Sequence, residues 1–221
     1  MFNVAIDGPA GAGKSTIAKM VAKKLGFTYV DTGSMYRAMA LACIRAGLKA
    51  SDEVEVCKVC EGLDVSLEYD ENGAQQVILN GENVNAYIRT EEVGNMTSAI
   101  AVYGPVREKL VELQRKLGTK YDVIMDGRDI GTCVLKDAPV KIYLTASSRT
   151  RAERRYKELT EKGVDCNLDD IEKDIIDRDY RDMNREISPL KQAEDAILVD
   201  SSNMGIDEVV NELVRIIEEA R

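Results

Sequence analysis

The octet GPAGAGKS, residues 8–15, constrains this chain more than any other stretch. It fits G-x-x-x-x-G-K-[ST], the spacing of a phosphate-binding loop. Glycines let the backbone turn tightly and aim its N–H groups at phosphate oxygens, where a Cβ would block the approach. The helix that follows adds its positive N-terminal end, Lys14 supplies a point charge for β and γ phosphates, and the Ser15 hydroxyl can ligate Mg²⁺. The spacing also arises by chance, so its flanks decide. Residues 3–6 read as a buried strand, and Ile17, Val21 and Leu25 recur at i, i+4 and i+8 on one helix face. Strand, loop and helix follow in the order such a loop requires.

Further short apolar strands are expected at 28–30, 122–125, 141–144 and 196–199, separated by helical patterns at 14–25, 34–46, 105–117, 149–162, 168–185 and from 206 onward. Alternation of this kind predicts an α/β fold, a five-stranded parallel sheet flanked by helices. In the last helix Ile206, Val209, Val210, Leu213 and Ile217 share a stripe that should pack on the sheet. Residues 64–88 break the pattern. Val65, Leu67 and Tyr69 alternate with polar residues, and Asn72-Gly73 and Asn80-Gly81 bracket the run 77–79. This predicts a small antiparallel insertion, either shaping a second-substrate site or elaborating the surface.

Charge and missing residue types exclude several chemistries. A net charge of −9 argues against a general nucleic-acid binder, while local arginines still suit a small phosphorylated substrate. With no histidine, imidazole triads and histidine metal sites are ruled out. The five cysteines are odd in number and scattered. Cys57 and Cys60 form a CxxC, but no second pair completes a zinc site and their surroundings read as helix, so they are expected as reduced packing thiols. No cationic leader or membrane-length apolar run is read, which predicts a soluble, cytoplasmic protein.

Three polar clusters accompany the loop. DVIMDGRD ends an apolar strand in Asp126, Gly127, Arg128 and Asp129; ligands of doubly wound sheets bind beyond such strand ends, which makes Asp126 a candidate Mg²⁺ ligand together with Ser15. The alternative for Asp126 is a turn built for local geometry. DTGSMYR places Arg37 one turn into a helix, a weak signal alone. The third cluster, 149–185, holds seven of fifteen arginines. Arg178, Asp182 and Arg185 share a helix face there; they either lace an exposed surface or belong to a hairpin that closes over phosphates.

In combination GPAGAGKS, DTGSMYR, SAIAVYGPVRE, DGRDIGT, DAPVKIYLTAS and RDYRDMNR resemble the bacterial cytidylate kinases, a branch of the nucleoside monophosphate kinases, over nearly the whole chain. Ala10, Ser15 and Thr32 are mild departures. The resemblance implies a single P-loop kinase domain over 1–221. Its core comprises 1–31, 104–148 and 186–221, with a monophosphate-binding region at 32–103 and a helical lid at 149–185. It implies ATP as donor, Mg²⁺ as cofactor, CMP or dCMP as acceptor, and a monomer with no nucleic-acid or membrane partner.

By position, the resemblance assigns ATP to Gly8, Pro9, Ala10, Gly11, Ala12, Gly13, Lys14, Ser15 and Thr16, with Arg154 and Arg155 over the transferring phosphoryl group. Cytosine falls to Ser98, Arg107 and Asp129, and Thr32 joins the substrate set. The monophosphate falls to Arg37, Arg128 and Arg185, and the sugar to Arg178 and Asp182. Lys14, Arg128 and Arg185 carry the catalytic charge. Other readings remain: a P-loop kinase for UMP or a metabolite acceptor, or a slow nucleotide-dependent switch, against which no NKxD string follows the loop.

Overall fold

The computed structural model describes residues 1–71 and 73–221; Asn72, half of the expected Asn72-Gly73 turn, lies outside the described residues. Two compact units emerge, Met1–Tyr29 with Tyr121–Arg221, and Val30–Lys120. Each has its own apolar core.

The first unit is built on a parallel sheet. Its strands are β1 (Asn3–Asp7), β2 (Thr28–Asp31, which spans the unit boundary in sequence), β6 (Val123–Gly127), β7 (Val140–Thr145) and β8 (Ile197–Asp200), in the order β2-β6-β1-β7-β8. β1 pairs in parallel with β6 on one side and β7 on the other. Strands buried on both faces need continuous apolar runs rather than alternation. Val4, Ile6, Ile124, Ile142 and Leu144 meet that demand and are buried. Each of the five expected strands is present, extended or shifted by one or two residues.

Helix α1 (Lys14–Leu25) ends at Gly26, whose φ of 73° closes the helix in the left-handed conformation. It packs against α8 (Ile206–Glu219), which buries Val209, Val210, Leu213, Val214, Ile216 and Ile217. Ile206, expected on the buried stripe, is 57% exposed because it stands at the first residue of the helix, before the apolar face begins. The hairpin of α6 (Ser148–Glu161) and α7 (Leu168–Asn184) completes the unit. Asn167 caps α7 by accepting from the backbone N–H of Asp169 and Asp170.

The second unit contains α2 (Thr32–Arg45), α3 (Glu53–Gly62), α4 (Glu91–Ile100), α5 (Gly104–Lys120) and a separate sheet of β3 (Val65–Tyr69), β4 (Gln75–Leu79) and β5 (Glu82–Asn83). Both strand pairs are antiparallel, as the alternation at 64–88 predicts. The insertion packs inward: Val65, Val77 and Leu79 join Met35, Met39, Ile100 and Leu110 in one core. Sequence periodicity did not reveal α4. Gly94 and Thr97 dilute its helix signal, while its cap is explicit, with Thr90 Oγ1 accepting from Val93 N at 3.2 Å.

Candidate active site

The phosphate loop leaves β1 at Asp7, beside the β6 end that carries Asp126 and Gly127. Gly8, at φ +151°, has no room for a side chain: a Cβ there would stand 2.0 Å from the carbonyl oxygen of Leu144. Only glycine fits. Gly13, at φ 84°, turns the chain into α1, whose first turn carries no acidic residue and no side-chain cap. The helix therefore supplies no carboxylate of its own to its positive end.

Lys14 is buried at the start of α1, and its ammonium donates to the Pro9 carbonyl at 2.7 Å. Burial and the nearby Arg128 guanidinium hold its pKa well below the ordinary lysine value; Asp126, Asp7 and Asp182 act in the opposite direction. An anion placed at the loop would favour the ammonium form. The next residue, Ser15, donates to Asp126 Oδ2 at 2.7 Å, and Tyr29 donates to Asp126 Oδ1 at 2.8 Å. Two hard oxygen ligands, one hydroxyl and one carboxylate, are thus adjacent at the β6 end. This donor set fits Mg²⁺, which takes few protein ligands and completes its shell with water and phosphate oxygens. Among the described residues no cluster of three or more Cys, Asp or Glu competes as a metal site.

Beyond Asp126 the chain presents Arg128 and Asp129. Arg128 Nε donates to Asp182 Oδ2 at 3.0 Å, and Arg185 Nη2 stands 4.0 Å from Asp129 Oδ1. The end of β6 and the end of α7 thereby interlock through alternating charges. Arg178 lies on the same α7 face and is half-buried. Arg151, at the base of α6, donates to Ala146 O (2.8 Å), to Ala10 O in the phosphate loop (2.9 Å) and to Asp179 Oδ2 (2.6 Å). Arg154 is held by Ser201, Nη2 to its carbonyl at 2.7 Å, and Arg155 pairs with Glu158 on the exposed face of α6. Within this unit the loop, Asp126, Arg128, Asp129, Asp182 and Arg185 form one polar group.

In the second unit Asp31 caps α2, accepting from Ser34 N at 3.0 Å, and its other oxygen pairs with Arg89 at 2.9 Å. Gln75 of β4 accepts from Asp31 N and donates to Ser34 Oγ, fastening the insertion to DTGS. Thr32 is buried in this turn. Arg37 donates to Ile88 O at 3.1 Å and lies against Gly94, whose Cβ would approach Arg37 Nη1 to 3.4 Å. One turn on, Ser98 Oγ donates to Gly94 O. Arg107 is buried, bonded to Ala101 O, with its guanidinium 5.8 Å from the Tyr36 ring centre. Arg37 and Ser98 thus share a neighbour, and Arg107 packs beside the residue preceding Arg37.

A model of the cytidylate kinase family matches residues 4–219. The chain belongs to the cytidylate kinase family. It is 52% identical to a cytidylate kinase of Clostridium acetobutylicum over 98% of this chain and 97% of that protein. Against a cytidylate kinase of Lactobacillus johnsonii the identity is 49%, over 99% and 94% of the two chains. An uncharacterised protein from Eubacterium ventriosum, 12% identical, shares the fold with a TM-score of 0.54 over 99% of each chain.

Asp7, Tyr29, Arg151 and Asp179 were not read as site residues from this cytidylate kinase sequence. Asp7 directly precedes the glycine loop, which was an available signal, whereas Tyr29 and Asp179 become visible only through contacts 97 and 28 residues away. The cysteines behave as packing groups. Cys43 and Cys60 are buried with sulfurs 3.8 Å apart, and Cys57 is half-buried on α3. No helix of the described residues is long and apolar enough to cross a membrane.

Proposed function

We propose that this protein transfers the γ-phosphoryl group of ATP to the 5′-phosphate of CMP, and of dCMP, giving ADP and the nucleoside diphosphate. One observation carries the reading: in a cytidylate kinase family chain, the residue after the buried loop lysine, Ser15, is bonded to Asp126 at the end of β6, two residues before Arg128. A phosphoryl-transfer transition state spreads negative charge over its oxygens, and fixed cations already placed there stabilise it without reorganising.

An acceptor phosphate oxygen forms the new bond to the γ-phosphorus while the β–γ bridging oxygen departs with ADP. The acceptor is already an anion, so no general base is required, consistent with a chain free of histidine. Lys14 and the loop amides hold the donor phosphates, and Arg128 and Arg185 offset charge on the acceptor side. Ser15 and Asp126 would hold Mg²⁺, which supplies charge neutralisation on the donor phosphates. Arg155 and the α6–α7 hairpin are read as the lid. Asp129 would accept from the cytosine amino group, whereas uracil would turn an acceptor toward it and leave polar groups unpaired, at a cost of roughly 1–3 kcal/mol. Thr32, Arg37, Ser98 and Arg107 are read as acceptor ligands on the family resemblance, each testable by its own substitution.

A coupled assay of ADP release tests this, with ATP and a panel of CMP, dCMP, UMP, AMP and shikimate, with and without Mg²⁺. The expected result is Mg²⁺-dependent release with CMP and dCMP far above the rest. Equal release without an acceptor, or preference for shikimate, would refute it.

A further inference from the structure

We propose that Asp7 is a positioning residue: by binding the backbone N–H groups of Ile130 and Gly131, it fixes the turn that presents Arg128 and Asp129 to the acceptor nucleotide. The inference rests on the reading of those two residues as acceptor ligands.

Asp7 is the last residue of β1 and is buried. Its Oδ1 accepts from Ile130 N at 2.8 Å and its Oδ2 from Gly131 N at 2.7 Å. These amides open a single helical turn, Ile130–Val134, whose N-cap position is Asp129. The first N–H groups of a helical turn lack partners within it, and an aspartate at the N-cap ordinarily supplies one from its own side chain. Asp129 makes no such bond to the turn. The neighbouring strand caps the turn instead, 123 and 124 residues away in sequence. The Asp129 carboxylate stands 4.0 Å from Arg185.

The arrangement is held tightly. A Cβ on Gly131 would approach Lys141 Cδ to 3.2 Å and Asp7 Oδ2 to 3.4 Å, so even a methyl group would press on the carboxylate. The titratable groups facing Asp7 are Lys14 of α1, Asp129 of the turn and the neutral phenol of Tyr143 on β7. Burial pushes the Asp7 pKa up to about 6, with Asp129 adding to the rise and the two N–H donors and Lys14 opposing it. A carboxylate kept in so unfavourable a place, to bond two amides beside a site, is the pattern of a group retained for geometry.

Asp7→Asn keeps the size but replaces one oxygen with an NH₂ that meets an N–H, donor against donor. Asp129 would then be drawn back to cap its own turn. The expected result is a KM for CMP raised roughly five- to twenty-fold, with the KM for ATP unchanged and the preference for CMP over UMP reduced. An unchanged KM for CMP, or equal rises for both substrates, would overturn the inference. Asp129→Ala separates the claims: if it leaves the CMP preference intact while Asp7→Asn still raises the KM for CMP, base reading by Asp129 falls and positioning of Arg128 stands. Amide NMR of the ligand-free wild type provides a readout that survives a poorly folding variant. The Ile130 and Gly131 amides, bonded to the Asp7 carboxylate, should be protected from hydrogen exchange. Exchange of both at the rate of open-chain amides would overturn the proposal.

Discussion

The loop end of the parallel sheet and the α6–α7 hairpin use the same residue types to opposite effect. At the sheet end Asp7, Lys14, Asp126 and Asp129 are each buried, and both oxygens of Asp7 and of Asp126 and the Lys14 ammonium are hydrogen-bonded. On the hairpin, α7 has no buried residue, and pairs such as Arg155–Glu158 and Arg149–Asp169 are about half exposed or more. Water and salt screen the second set, so geometry there can change at small cost. In the first set a displaced charge remains in a low-dielectric surround. Burial, rather than the number of charges, separates the part proposed to fix phosphates from the part proposed as the lid. Arg151 marks the border, a buried guanidinium on the hairpin that reaches the phosphate loop.

The border residue should give the largest effect. Arg151→Ala leaves the Asp179 carboxylate without its cation, and breaking a buried pair costs roughly 3–5 kcal/mol, to be read by urea denaturation. Gly8→Ala drives a methyl group into the Leu144 carbonyl, and should cost about 3 kcal/mol with loss of ATP binding by calorimetry. Asp7 gives a pH test. Its folded pKa of about 6 lies above the ordinary 3.8, so its stabilising contribution is complete below about 3.8 and is lost as pH rises through about 6. The stability of wild type relative to Asp7→Asn should therefore fall across that window, by up to about 3 kcal/mol. Asp129→Ala should cut the preference for CMP over UMP by roughly tenfold, measured as a ratio of kcat/KM. Arg155→Ala should alter stability by roughly 0.5 kcal/mol or less. A destabilisation as large as that of Arg151→Ala would dissolve the contrast.

Much of this organisation was legible in the sequence because local rules carry it. The glycine spacing of 8–15 demands a tight loop, and the short apolar runs read as strands, buried except at the sheet edge, where β8 leaves Ile197 and Leu198 exposed. The antiparallel insertion announced itself through the alternation of Val65, Leu67 and Tyr69. The sites that escaped depend on distant pairing. Asp7 reads as an ordinary strand-end residue until Ile130 and Gly131 arrive beside it, and Arg151 reads as one of four similar arginines in RTRAERR. Spacing places Arg151 and Arg155 on one helix face, yet only packing shows that the first is buried and the second exposed. The exposed start of α8 at Ile206 has the same origin, since a stripe defines a face but not where its partner ends.

The most direct test is transfer of labelled γ-phosphate from ATP to CMP by wild type and Lys14→Ala, with thermal unfolding of both recorded in parallel. The account predicts labelled CDP from the wild type and a rate at least about a hundredfold lower from a variant that still unfolds cooperatively. Transfer by a folded Lys14→Ala protein at the wild-type rate would contradict it.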